Sequence, residues 1–251
     1  MTSSASVSVV ASFASSSAPP VTPPTPAPEV TRALSIAEAR GKHVGNKWSI
    51  SEQTAKEILG PVRKWKGDVT SASVEPVADG FGALVWLVLQ CEGDSCSTET
   101  WLVLPAGPRK LKVGGGTVVV LPDLSAVVAD AATFNPYDPT AERVSGANSE
   151  WIARIEWVDV ATGTSKTFAP CVSPVLSPSR KYIVCRSRKG AVLRVPVSGG
   201  PPEVVRGPAK QTPAWVPYAY VYPGPVELVS TTELRVHDEP GGSSMVAYSA
   251  P

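Results

Sequence analysis

The chain has 251 residues, 43% of them hydrophobic, enough to bury the core of one β domain of ordinary size or two small ones. Lys and Arg number 23 against 22 Asp and Glu, a net charge of +1, so no global field draws the protein to nucleic acid or to an anionic membrane. Its 26 prolines and 20 glycines fall between short apolar runs, which predicts many turns joining short strands and disfavours a helical protein.

Residues 1–28 are almost all Ser, Ala, Thr, Val and Pro, a composition that cannot bury enough surface to offset the entropy of ordering; they read as a disordered tether. Met1–Ser17 carries no Lys or Arg and its apolar residues are broken by serines, so it does not have the form of a secretory signal. The stretch resembles the linker behind the lipid-carrying cysteine of bacterial envelope lipoproteins, which implies a true start upstream of Met1 and a lipid tether. No run approaches the roughly 20 apolar residues of a membrane-spanning helix, the longest being residues 83–89.

Residues 29–66 hold two short helical signals. Each opens on a capping box, Ser35-Ile36-Ala37-Glu38 and Ser49-Ile50-Ser51-Glu52, and each stops at a glycine, Gly41 and Gly60. Residues 67–251 read as strands. Cys91 and Cys96 flank a polar turn between the apolar runs 83–89 and 101–104, which predicts a hairpin with a cysteine at each strand end. Cys171 and Cys185 lie symmetrically about the turn Ser177-Pro178-Ser179-Arg180. Two disulfides, and hence an oxidising compartment, follow from that symmetry; the alternative is four small buried hydrophobes. A metal site is disfavoured, since Cys91-x4-Cys96 has no close second pair and only His43 and His237 could add imidazole.

Residues 151–157, Trp-Ile-Ala-Arg-Ile-Glu-Trp, alternate as a strand with Trp151, Ile155 and Trp157 inward and Arg154 and Glu156 in water. Strands at 85–89, 126–131, 183–187 and 226–230 recur at intervals of about 42, 56 and 43 residues, the spacing of propeller blades; the polar loop 134–150 reads as an insertion in the long interval. Residues 176–184, Leu-Ser-Pro-Ser-Arg-Lys-Tyr-Ile-Val, followed by 192–202, Val-Leu-Arg-Val-Pro-Val-Ser-Gly-Gly-Pro-Pro, resemble a blade of the TolB-type, WD40-like β-propellers. Residues 121–128, with Trp157-Val158-Asp159-Val160-Ala161-Thr162-Gly163 downstream, are similar to a second copy. The resemblance covers about residues 117–206 and implies a small or incomplete β-propeller of about four antiparallel units, making protein contacts through the ring and its edges.

Catalytic constellations are mostly absent. There is no Gly-x-Ser-x-Gly elbow, His-Glu-x-x-His helix or phosphate-binding glycine loop, and Gly114-Gly115-Gly116 reads as a turn. Glu92, Asp94 and Asp123 lie in turns, where carboxylates are common because they are solvated. Arg180, Lys181, Arg186, Arg188 and Lys189 form a basic cluster, read either as a solvated face or as a contact for an acidic partner. Trp215, Tyr218, Tyr220 and Tyr222 lie in a Pro-rich segment too interrupted for a central strand; they are the best candidate recognition surface, with packing under a loop as the alternative. The candidate binding residues are therefore these four aromatics with Arg186 and Arg188, and neither catalytic residues nor a cofactor are assigned. The expected function is a non-catalytic binding module of the periplasm, cell envelope or exterior, contacting a protein or a wall polymer. An exported hydrolase with a site assembled only in the fold, or a structural subunit of an extracellular assembly, are the alternatives.

Overall fold

In the computed structural model the described residues are 26–92, 95–113, 116–131, 133–134, 151–152, 154–187, 190–207, 226–230, 233–238 and 242–247. The structure is mostly β, with two α-helices and four antiparallel sheets of three or more strands among the described residues. The tether expected over residues 1–28 lies almost wholly outside the described residues.

Helix α1, Pro28–Arg40, starts seven residues before its predicted cap. Pro28 opens it, with its φ already helical and no N–H to satisfy, and Glu29 favours the positive end of the dipole. Ser35 is therefore interior to the helix. Gly41 ends it without a left-handed turn: a Cβ there would stand 2.5 Å from the Ala37 carbonyl oxygen and 2.8 Å from Trp48 Cβ, so the close approach of the chain requires glycine. Strands β1, Lys42–Val44, and β2, Lys47–Ile50, form a hairpin between the two helices, and His43 packs edge-on against Trp48 there. Helix α2, Glu52–Leu59, is capped by Ser51, whose Oγ accepts from the Thr54 N–H at 3.1 Å. Ser49, the predicted cap, instead pairs in β2 with Ser73.

The hairpin joins a six-stranded meander, β1-β2-β3-β4-β5-β6, completed by β3 Val69–Val77, β4 Gly82–Glu92, β5 Ser95–Leu104 and β6 Gly107–Leu111. One face of this sheet, through Val74, Val85, Leu87, Trp101 and Val103, buries Val30, Ala33 and Ala37 of α1 and Ala55, Ile58 and Leu59 of α2. The two helices of residues 29–66 thus share a core with the strands.

The opposite face, through Leu84, Leu102 and Leu111, packs on Val120, Val127 and Val158 of the second sheet. That sheet contains β7 Val118–Val120 and β8 Ala126–Asp130. A two-stranded ribbon follows, β9 Thr133–Phe134 with β10 Trp151–Ile152, and then β11 Ile155–Asp159 and β12 Ser165–Ala169 complete the order β12-β11-β8-β7. The predicted strand 151–157 is thereby divided: Trp151 belongs to the ribbon, while Ile155 is buried in the sheet and Trp157 half-buried. The expected insertion emerges between β9 and β10, and residues 135–150 lie outside the described residues.

The second sheet's other face, with Ala126, Val128 and Ile155, packs on Ile183, Leu193 and Val195 of the third sheet. This is another meander, β13 Cys171–Leu176, β14 Tyr182–Ser187, β15 Val192–Pro196 and β16 Glu203–Arg206. Its far face, with Val184 and Val192, packs on Leu234 and Val236 of the fourth sheet, made of β17 Val226–Leu228, β18 Glu233–Asp238 and β19 Gly242–Ala247. Four consecutive sheets are therefore stacked face to face, and the outward face of the first is covered by α1 and α2.

The second and third sheets repeat in their hydrogen bonds as well as their order. In the second, Leu124 N–H donates to Leu121 O, Leu121 N–H to Ala126 O and Val160 N–H to Ser125 O, at 2.9, 3.0 and 2.9 Å. In the third, Arg180 N–H donates to Ser177 O, Ser177 N–H to Tyr182 O and Val197 N–H to Lys181 O, at 2.8, 2.9 and 2.8 Å. Leu124 and Arg180 occupy the same left-handed position of the turn, with φ of 59° and 60°.

Candidate functional site

Two polar constellations stand out from the apolar cores, and both were missed in the sequence. The first lies where the chain leaves α2 and crosses the helix-covered face of the first sheet. Arg63, 5% exposed, donates from Nε to Glu99 Oε2 at 2.7 Å and from Nη2 to both carboxylate oxygens of Asp68 at 3.1 Å. Glu99 also accepts from Lys110 Nζ at 2.7 Å and from the Trp101 indole at 3.1 Å. The Arg63 guanidinium stacks 4.5 Å above the Trp65 ring, whose own N–H donates to Gly60 O at 3.1 Å.

Burial works against the charge of Glu99, but hydrogen bonds from Lys110, Arg63 and Trp101 and the Arg63 charge outweigh it and hold the carboxyl at about 2. Burial likewise opposes the charge of Arg63, and hydrogen bonds and charges from Glu99 and Asp68 outweigh it, so its pKa stands above the ordinary guanidinium value. The arrangement is an ionic bracket that ties three segments distant in sequence: the exit of α2, β5 and β6. Such charges are stable in a buried place because each keeps a partner.

The second constellation joins the second and third sheets. Asp130, 4% exposed at the end of β8, accepts from the Thr117 N–H through Oδ2 at 3.0 Å and from the Ser173 N–H through Oδ1 at 2.8 Å. Ser173 has a φ of 54° within an interruption of the β13–β14 pairing, so its N–H is turned out of the ladder toward the neighbouring sheet. The carboxylate makes charge-assisted bonds to both, and at the buried Ser173 it satisfies an N–H that would otherwise have no partner.

Of the predicted binding residues, Arg186 alone lies among the described residues. Arg186, read as an exposed or partner-binding cation, is 2% exposed. It lies on β14, where Ile183–Arg186 are all buried because both faces of the third sheet are covered, by the second sheet and by the fourth. Arg188, Trp215, Tyr218, Tyr220 and Tyr222 lie outside the described residues. Asp123 is exposed and accepts from the Ser125 N–H and hydroxyl within its own turn, at 3.1 and 2.8 Å.

Cys171 and Cys185 are disulfide-bonded, with Cα atoms 5.8 Å apart. They are not directly opposed as expected: Cys171 pairs with Ser187, and the irregularity between Val172 and Val175 shifts the register so that Cys185 is reached diagonally. Cys91 and Cys96 are direct register partners at the end of the β4–β5 hairpin, as their spacing predicts; their side chains lie outside the described residues.

Among the described residues no group of three or more His, Cys, Asp or Glu is placed to hold a metal ion. No described helix is long and apolar enough to cross a membrane. The network around Glu99 had one legible signal, the basic and aromatic run Arg63-Lys64-Trp65-Lys66, but nothing in sequence joins it to Glu99 or Lys110. No protein-family model matches the chain, and no curated protein matches it.

Proposed function

We propose that the chain is a non-catalytic binding module of the bacterial cell envelope or exterior, contacting another protein or a wall polymer, and built as an open, propeller-like array of about four units. The observation that carries this reading is the stack itself. The second and third sheets give both faces to cores, so what they offer to solvent is strand edges and turns, the parts of a rigid scaffold on which recognition residues are usually carried. The matching turn hydrogen bonds of those two sheets support repeated, blade-like units of the TolB type. The Cys171–Cys185 bond supports an oxidising compartment.

The recognition residues in this reading are Trp215, Tyr218, Tyr220 and Tyr222, four rigid aromatics within eight residues, with contact area available at low entropy cost. Replacing Trp215 or Tyr220 by Ala should weaken retention of an envelope partner by ~2 kcal/mol or more, about 30-fold, while thermal unfolding stays nearly unchanged. A large fall in melting temperature with partner retention intact would instead mark these side chains as core.

A further inference from the structure

The ionic bracket gathers more positive charge than it consumes. Arg63 and Lys110 meet on Glu99, which brings the loop carrying Lys64 and Lys66 to the β6 edge of the first sheet, where Lys112 follows two residues after Lys110. Asp68 and Glu99 are spent on Arg63 and Lys110. Lys64, Lys66 and Lys112 are exposed and have no carboxylate partner among the described residues.

The pattern of these cations suits a repeating anion. Lys64 and Lys66, and Lys110 and Lys112, are each spaced by two residues, about 6.6 Å apart on an extended chain, so charge recurs along the edge rather than converging on one point. The one aromatic of the loop is not free for insertion or stacking, because Trp65 is hydrogen-bonded to Gly60 O and covered by Arg63. Membrane-surface anchors and single-stranded nucleic-acid sites both use exposed aromatics, which disfavours a bilayer and a base-bearing polymer. We propose that the edge formed by residues 63–66 and 110–112 binds a flexible, linear, phosphate-bearing polyanion of the wall-polymer class. This rests on the binding reading above and names a partner chemistry for it, on a surface separate from the aromatic segment.

The test uses the full chain and linear inorganic polyphosphate, titrated between low and physiological salt. The wild-type protein should bind with an affinity that falls as salt rises. K64Q/K66Q/K112Q should bind at least tenfold more weakly, with the salt slope reduced by about 2 for three lost contacts. K64R/K66R/K112R should retain binding, which separates loss of charge from loss of fold. The control K42Q/K47Q, at the opposite edge of the same sheet, should change affinity less than twofold. Equal losses in the triple variant and the control, or no loss in the triple variant, would overturn the proposal. So would tighter binding to phosphatidylglycerol vesicles than to polyphosphate through the same lysines. Failure here with partner loss intact at Trp215 would remove the polyanion and leave the binding reading; failure of the Trp215 variant alone would leave the polyanion.

Discussion

Arg180, in the turn between β13 and β14, forms an ion pair with Asp79, in the turn between β3 and β4, with Nη2 and Oδ2 at 2.7 Å. The two turns belong to the third and first sheets, with the second sheet between them. Sheets packed face to face are about 10 Å apart, so parallel layers would hold these turns about 20 Å from one another. Contact between them means that the sheets converge at this end. Leu124, at the matching position of the second sheet, closes the gap: its Cδ2 lies 3.0 Å from where a Cβ on Gly82, just after the Asp79 turn, would stand. The first three sheets therefore draw together at the end that carries the Asp79, Leu124 and Arg180 turns.

Arg180→Gly separates the strain of that turn from the ion pair. A non-glycine residue in the left-handed region costs about 1–2 kcal/mol, and glycine removes that strain while losing about 0.5–1 kcal/mol to its freer unfolded chain. The pair is exposed, at 50% and 57%, and an exposed pair stabilises by 0 to about 1 kcal/mol at low salt. The variant should therefore melt close to wild type at low salt. In about 1 M salt the pair is screened, and the variant should melt about 1–4 °C higher. Asp79→Asn removes the charge and tolerates the φ of 57° at that position, so its small deficit should vanish at high salt. If Arg180→Gly is destabilised at both salt concentrations, the strain assigned to the turn is wrong.

The Arg63–Glu99 bracket predicts acid sensitivity of a defined kind. Glu99 has a folded pKa of about 2 against an unfolded value of 4.5, so its contribution to stability is complete above about pH 4.5 and is lost as pH falls toward 2. The contribution is at most about 3 kcal/mol, since the carboxylate keeps some exposure and its partner Arg63 divides its charge between Glu99 and Asp68. Glu99→Gln should be destabilised by about 2–3 kcal/mol at pH 7, leaving Arg63 with Asp68 alone, and by much less at pH 2.5. Denaturant unfolding of both proteins across that range checks it; a gap that stays constant with pH would remove the ionic account of the bracket.

Legibility followed burial. The β4–β5 hairpin was readable because Cys91 and Cys96 end symmetric apolar runs about a polar turn. The turns at Leu124 and Arg180 were readable because Pro-Asp and Pro-Ser announce them. Arg186 was misread because period-2 alternation distinguishes inside from outside only when one face of a sheet meets water, and β14 has two covered faces. The start of α1 was missed because a capping box about two turns along looked stronger than Pro28, whose fixed φ in fact opens the helix. Glu99 and Asp130 could not be found, since each acts on residues brought to it by other strands, and no local pattern marks a carboxylate that will be buried.

Asp130 links two sheets through backbone donors, so its removal should loosen their packing rather than unfold one hairpin. Asp130→Ala leaves the N–H groups of Thr117 and Ser173 without their acceptor; at the buried Ser173 this costs about 1–3 kcal/mol, while the exposed Thr117 can turn to water. Asp130→Asn keeps one oxygen and should recover part of the loss. Amide exchange is the discriminating readout: protection should fall at Ser173 and Thr117 together in the alanine variant, and loss at one alone would mean that Asp130 is not the common acceptor.

The Cys171–Cys185 bond closes a loop with a sequence separation of 14 that contains the Ser177–Arg180 turn, all of β13 and the first part of β14. Chain-entropy estimates place the stabilisation from a loop of this size at about 3 kcal/mol. Both sulfurs also sit in the core shared by the second and third sheets, where Cys171 and Cys185 are fully buried beside Ile155, Ala169 and Ile183. Replacing the pair by C171A/C185A should therefore cost the cross-link and a little packing, about 3–4 kcal/mol in all. Replacing only Cys185 leaves a buried thiol at Cys171 and should cost about the same, because the cross-link is already lost. Reduction of the wild type under denaturing conditions, followed by refolding with the thiols kept reduced, should reproduce most of the loss without any change of side-chain volume. Burial shields the bond from reductant in the folded state, so adding reductant to the native protein should act only at the rate of global opening. Rapid reduction of the native protein with no change in melting temperature would show that the bond is neither buried nor stabilising, and would withdraw its support for an oxidising compartment.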